Sequence, residues 1–290
     1  MKVKEARECG DEHVLKAREP LQTGRLNKLR EFIGERGLLW TLLFMIRYCG
    51  LRIVRRMEVW LIAIEKRRCI TGESTVSSSS HSREQNRYIW DNYDWSRLGE
   101  EWTHSVERYR GLNPEQWKTK VINGIMLKYI KKDSTVLEIG PGAGRWTEIL
   151  LQQCSRLLVA DISQEALEIC RERFAAHENI DYLLIDDRGL GFLPASSIDY
   201  VWAYDVFVHI NPADTERYIS DFSRLLKPGG VAIIHHPGTY ASEYDAKEGF
   251  RSFVDARLFA HLVEKYGMRL IEQDDALPHK PGDVISVFSK

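Results

Sequence analysis

Gly140, Gly142 and Gly144 stand at every second position of the stretch VLEIGPGAGRWTEIL (136–150), with Glu138 two residues ahead of the first glycine. Without a Cβ, such residues let the backbone turn sharply and let a ligand lie against it. An apolar run before the turn and a helical pattern after it would gather free N–H groups at one spot, which suits a nucleotide-like ligand. Carboxylates then recur where later apolar runs end: Asp161 in LLVADIS, Asp186 and Asp187 in LLIDD, and Asp205 in VWAYD. Asp161 lies 17 residues beyond Gly144, where an acid can accept hydrogen bonds from ribose hydroxyls. A carboxylate at 186 or 187 can accept from an exocyclic adenine amine. Three histidines follow the later runs, His209 in FVHI and the pair His235 and His236 in AIIHHPG. Imidazole is the side chain suited to taking a proton near neutral pH. Neighbouring strand residues point to opposite faces, so at most one of the pair faces a given pocket. His209 and His236 are the candidate bases, with His104 in GEEWTHSV as an outsider.

These residues need elements to carry them. Apolar alternation predicts strands at 135–139, 156–160, 181–185, 198–204, 230–235, 268–274 and 283–289. Helical periods fill 144–153, 163–175, 212–226 and 252–266. Alternation of this kind is the pattern of an α/β fold, a mostly parallel sheet covered by helices on both faces. The last two strands have only the loop around Leu277 to Gly282 between them, so an antiparallel strand is expected at the end of the sheet. Upstream, residues 83–131 read as helices, with Pro114 at a first turn. Trp90, Tyr93, Trp95, Trp102, Tyr109 and Trp117 make that block aromatic, fit for packing and for lining a pocket. The serine-rich stretch TGESTVSSSSHS reads as a linker. The expected division is therefore 1–70, a basic helical or amphipathic segment; 71–82, the linker; 83–131, a helical cap on the substrate side; and 132–290, the ligand-binding domain.

Composition narrows the function. A chain of 290 residues with 43% hydrophobic content can bury a sizeable core. The net charge of −1 argues against a nucleic-acid partner. Residues 1–70 carry 16 Lys and Arg against 9 Asp and Glu, while the remainder carries 25 against 33. Five cysteines without a C-x-x-C pair fit a reduced cytoplasmic compartment and no zinc site. No metal site is expected elsewhere, since spacing does not bring Asp186, Asp205 and His209 together. In 37–64 the longest uncharged run is Gly37 to Ile46, short of the roughly 20 residues needed to span a bilayer. Arginines at 47, 52, 55 and 56 make this segment a candidate for peripheral membrane contact, or for packing on the body or on a second subunit.

The motifs VLEIGPGAG, VADIS, SSIDYVWAYDVFVHI and RLLKPGG, in this order and spacing, resemble those of the class I S-adenosylmethionine-dependent methyltransferases over about residues 120–290. The resemblance implies a seven-stranded Rossmann-like sheet with an antiparallel last strand, and S-adenosylmethionine as methyl donor. It implies that Gly140, Gly142 and Gly144 approach the methionine and ribose. Glu138 would sit near the methionine ammonium, Asp161 on the ribose, and Asp186 or Asp187 on the adenine, with Asp205 completing the cofactor set. The N-P-P-Y/F tetrapeptide of many N-methyltransferases is absent after the fourth strand, where YDVFVHINP stands. An O-methyl transfer to a small-molecule, glycan or lipid-linked acceptor is therefore favoured. Two alternatives remain: an aminopropyltransferase, and a non-catalytic binding module using the same fold.

Overall fold

The computed structural model describes residues 82–101, 104–239 and 251–290, without the side chain of His104. The expectations for the basic segment 1–70, for the amphipathic stretch 37–64, for most of the linker and for Trp102 lie outside the described residues.

Among the described residues, three helices come first. Ser82 caps α1 (Arg83–Asp91) by accepting from the Gln85 N–H while the Gln85 side chain reaches back, a reciprocal pair that satisfies two free donors. α2 is His104–Arg110. α3 (Pro114–Val121) has Asn113 as its cap and Pro114 in its first turn. It runs through a π turn at Ile122–Met126 into a last α turn at Leu127–Tyr129. The alternating region follows as β1 (Thr135–Ile139), α4 (Thr147–Leu150), β2 (Arg156–Asp161), α5 (Gln164–Arg173), β3 (Ile180–Leu184), β4 (Ile198–Ala203), α6 (Pro212–Leu225), β5 (Leu226–Pro237), α7 (Ala256–Lys265), β6 (Arg269–Asp274) and β7 (Asp283–Ser289).

The seven strands form one sheet in the order β3-β2-β1-β4-β5-β7-β6. All pairings from β3 to β5 are parallel, and β7 runs antiparallel to both β5 and β6. The last strand is antiparallel as expected, but it does not lie at the edge. It inserts between β5 and β6, so β6 points the same way as β1 to β5 and forms the edge. Three elements differ most in extent from expectation: α7 begins at Ala256 and not at 252, because Asp255 caps it by accepting from the Leu258 N–H. α4 stops at Leu150 because the next amides turn to i−3 carbonyls, Gln152 to Ile149 and Gln153 to Leu150, which tightens and ends the helix. β5 begins at Leu226, since Lys227 to Gly230 are absorbed as an irregularity between the Ile198–Leu226 and Tyr200–Val231 pairs.

Alternation along the strands divides the core. Leu137, Ile139, Val201, Ala203, Ala232 and Ile234 face α6 and α7. Val136, Trp202, Ile233, Ile285 and Val287 face the helices of the other layer, with Trp117, Val121, Ile125 and Leu150. In α6 the residues Thr215, Tyr218, Ile219, Phe222 and Leu225 are buried, the 3-and-4 spacing of one helical face. Phe222 is fully buried and meets Phe207 and Tyr218 at ring separations of 6.1 Å. Truncating it to alanine removes those contacts and leaves a void, so Phe222→Ala should lower unfolding free energy by about 3–5 kcal/mol. Denaturant unfolding followed by tryptophan fluorescence measures this.

Candidate cofactor and acceptor cleft

The carboxyl ends of β1, β2 and β4 open onto a cleft, at the end of an open α/β sheet where ligands bind. One wall is backbone, Gly140 to Ala143 following β1. Asp161 from the end of β2 joins it, flanked by the apolar side chains of Ile162 and Ile185. The opposite wall comes from the turn after β4, with Tyr204, Asp205, Val206, His209 and Ile210. Asn86 and Trp90 of α1 and Trp95 in the stretch after it close over the cleft, with Arg145 and Trp146 from the turn before α4.

Asp161 is buried and accepts from the Ser163 N–H at 2.9 Å. Burial raises its carboxyl to about 6, against the pull of the Ser163, Ile162 and Gly142 amides. The same region is tied to α1, because Ser163 Oγ donates to Asp91 at 2.7 Å. Glu138 does not line the cleft. It is buried behind the glycine loop, where Thr147 Oγ1 donates to it at 2.7 Å. Burial holds it protonated, its pKa raised to about 8 against the Thr147 bond.

The three loop glycines have positive φ, and each is pressed by a side chain. A Cβ on Gly140 would strike Val206, one on Gly142 would come within 2.8 Å of Trp95, and one on Gly144 would strike Phe174. Missing side chains therefore serve two purposes here: close approach of a ligand on the cleft side, and close packing of Val206, Trp95 and Phe174. Gly144 itself lies outside the lining residues. So do Asp186 and Asp187. Asp186 is half-exposed and paired with Arg188 at 2.6 Å, and Asp187 is exposed; Ile185 is the β3-end residue that reaches the cleft.

Of the candidate bases, His209 lines the cleft, edge-on to Trp90 at 5.2 Å. His236, favoured on sequence, does not reach it. Its ring stacks on Phe259 at 3.9 Å, Nε2 contacts Ser286 Oγ at 2.7 Å and Nδ1 contacts Pro237 O at 2.8 Å. Burial pushes its pKa down to about 3. Strand parity sends His235, not His236, to the Asp205 side, where its ring stacks on Tyr204 at 4.3 Å. His104 begins α2, and its side chain is not described.

Around His235 a set of charges converges that spacing did not reveal. Asp205 N–H donates to His235 Nδ1 at 3.1 Å, and His235 Nε2 faces Asp283 at 3.4 Å. Asp283 pairs with Arg251, and Asp205 with Arg145 at 3.5 Å. His279, in the loop between β6 and β7, places Nδ1 3.4 Å from Asp205. Burial alone would raise the Asp205 carboxyl; the His279 and His235 rings and the Arg145 guanidinium outweigh it and hold the group well below the usual range. Asp205, His235 and His279 bring one donor atom each within 4.8 Å of one another, a set that could hold a metal ion. Two facts weigh against it. His235 Nδ1 already accepts an amide proton, and the two carboxylates are already matched by two guanidiniums, so the buried set is neutral without a cation.

Two predictions follow from this geometry. Gly142→Val should displace Trp95 as well as narrow the cleft, so adding Trp95→Ala should recover part of the lost stability without restoring ligand affinity; melting and calorimetry of the single and double variants measure both. For Glu138, an unfolded carboxyl ionises near 4.5 while the folded one stays neutral to about 8. Its contribution is full below the unfolded value and is lost as pH rises through 8. Glu138→Gln lacks this loss, so its Tm should rise relative to that of the unsubstituted protein between pH 5 and pH 8, measured without cofactor.

The chain is similar to known proteins over part of its length. Residues 136–230 match the family model described as a methyltransferase domain. Methyltransferase GfsG of Streptomyces halstedii is 30% identical over 153 residues, covering 48% of this chain and 54% of that protein. A demethylmenaquinone methyltransferase of Tropheryma whipplei is 28% identical over 112 residues, covering 38% and 45%. The chain thus spans about half the length of these two relatives. Among solved structures, the [4+2]-cyclase SpnF superposes with a TM-score of 0.56 at 15% identity, over 75% of this chain and 99% of that one, a likeness of fold. No helix among the described residues is long and apolar enough to cross a membrane. With its seven-stranded mixed sheet and its methyltransferase-domain segment, the chain resembles the class I S-adenosylmethionine-dependent methyltransferases in fold and in motif.

Proposed function

We propose that the protein transfers a methyl group from S-adenosylmethionine to a hydroxyl of a small, largely apolar acceptor. The observation that carries this reading is the pairing of the Gly140–Ala143 backbone with the Asp161 carboxylate in one cleft. The residues fit the cofactor. The glycine loop offers backbone to its methionine and ribose, Asp161 an acceptor for ribose hydroxyls, and Ile162 and Ile185 apolar faces for a purine. Bound there, the cofactor would supply a methyl group on a positively charged sulfur, already activated for in-line displacement. The chain's own task is then to position the acceptor oxygen and exclude water. Trp90, Trp95, Trp146 and Tyr204 give the cleft an aromatic wall suited to a flat or apolar acceptor. A relative that acts on demethylmenaquinone supports an acceptor of that lipophilic kind. The helices of 83–131 form the acceptor-side cap in this reading, and the basic segment 37–64 would take the enzyme to a membrane surface holding such a molecule.

Calorimetry of the full chain with S-adenosylhomocysteine tests the cofactor assignment. Micromolar binding is expected, and Asp161→Ala should weaken it by about 10- to 100-fold, the loss of one or two hydrogen bonds to an ionised group. No binding of either S-adenosylmethionine or S-adenosylhomocysteine would end the methyl-transfer reading. Tritiated S-adenosylmethionine with a panel of quinols, hydroxylated polyketide lactones and glycans then identifies the acceptor class, the quinols being expected to accept label. Sedimentation with anionic vesicles checks the segment 37–64; full-length protein that stays in the supernatant would rule out the membrane role.

A further inference from the structure

Side chains tie α1 to the ends of three different strands. Arg83 donates through Nη1 to the Asp186 carbonyl after β3 at 2.9 Å. Asn86 donates through Nδ2 to the His209 carbonyl, in the turn after β4, at 3.2 Å. Asp91 accepts at 2.7 Å from Ser163 Oγ, just beyond Asp161 at the end of β2. The helix therefore lies across the carboxyl ends of β2, β3 and β4, over the part of the cleft lined by Ile162, Ile185 and Ile210. Asn86 is the middle tie, and it lines the cleft itself.

Asn86 is 6% exposed. A backbone carbonyl can only accept, so the His209 oxygen fixes the amide with its nitrogen on that side. Oδ1 is then left over. It is buried and has no hydrogen-bond partner among the described residues. A buried acceptor without a donor is costly to keep, which is the form of half a bond that a ligand completes. An amide oxygen accepts only, so the ligand must bring a donor. On an adenine the ring nitrogens accept and the exocyclic amine donates. Base and sulfur leave the ribose on opposite sides in S-adenosylmethionine, so an acceptor molecule approaching the sulfur is not the source of this donor. Sequence position gave the amine to Asp186 or Asp187, but neither lines the cleft, and Arg188 takes the Asp186 carboxylate. We infer that Asn86 reads the adenine of the cofactor, its Oδ1 accepting from the exocyclic amine. This rests on the methyl-transfer reading above. The base is then recognised by a helix outside the segment 136–230 that matches the family model, and bound cofactor adds a fourth tie between α1 and the sheet.

Calorimetry of the full chain with S-adenosylhomocysteine and with its deamino analogue, which carries hydrogen in place of the amine, tests this. The unsubstituted protein should bind the parent ligand about 10- to 100-fold more tightly, because the analogue loses a bond and leaves Oδ1 unpaired. In Asn86→Leu the two affinities should converge to within about twofold, through weaker binding of the parent ligand. A residue that only braces the His209 turn would weaken both ligands alike and leave their ratio unchanged; that result overturns the assignment. Equal binding of the two ligands to the unsubstituted protein overturns it as well. Should Asn86→Leu fail to fold, Asp186→Ala and Asp187→Ala decide, since both side chains lie outside the cleft. An unchanged ratio in both supports Asn86, and a ratio that collapses in either gives the amine to that carboxylate and overturns the assignment. Binding of neither ligand ends the methyl-transfer reading itself, whereas binding of both without preference ends only the role of Asn86.

Discussion

Asp205 leaves β4 with φ of +63°, a left-handed conformation that costs a residue with a side chain about 1–3 kcal/mol. The surroundings over-determine it. Its N–H donates to His235, and its carboxylate meets Arg145, His235 and His279. The turn that results carries Val206 into the space above Gly140, where a Cβ would collide with it. The glycine loop after β1 and the turn after β4 are therefore fitted to one another across the cleft. A change in either wall reaches the other through this contact.

The antiparallel strand makes the second half of the arrangement. Because β7 runs against β5, its first residue, Asp283, arrives at the same end of the sheet as the last residues of β5. There it stands beside His235 and is matched by Arg251, which lies in the segment between β5 and α7. Buried ion pairs are weak stabilisers, since desolvation offsets most of their attraction, but removing one partner leaves a buried charge and is costly. The run Arg251, Asp283, His235, Asp205 and Arg145 is thus better understood as fixing geometry than as adding stability. It sets the Asp205 carboxylate and, through it, the His279 ring.

The aromatic block before the sheet takes part at close range. Trp95 packs on Gly142, Trp90 on His209, and Asn86 donates to the His209 carbonyl at 3.2 Å. Trp117 lies between Trp146, Tyr204 and His279, within 5.8 Å of each ring. These contacts make the N-terminal helices part of the cleft wall. These wall residues lie outside the segment, 136–230, that matches the family model.

Periodicity and local spacing alone determined the seven strands, the mostly parallel sense of the sheet, and the glycine loop with Asp161 after it. Those features depend on residues near one another in sequence: alternation within a strand, and a turn followed by a helix. Strand parity also stated that His235 and His236 face opposite ways. It could not say which face holds Asp205, because that depends on how β4 and β5 pair and on where helices cover them. Only the tertiary structure turned His235 toward Asp205 and packed His236 on Phe259. Asp186 looked like a ligand because it ends a strand; the turn after β3 instead folds it onto Arg188. His279 has no periodic pattern around it, and its loop reads in sequence only as a connection between two strands. Its position follows from β7 inserting between β5 and β6, which brings the exit of β6 to the carboxyl end of the sheet. That choice is made by long-range pairing, on which a single strand's sequence is silent, and it decides which histidine stands beside Asp205.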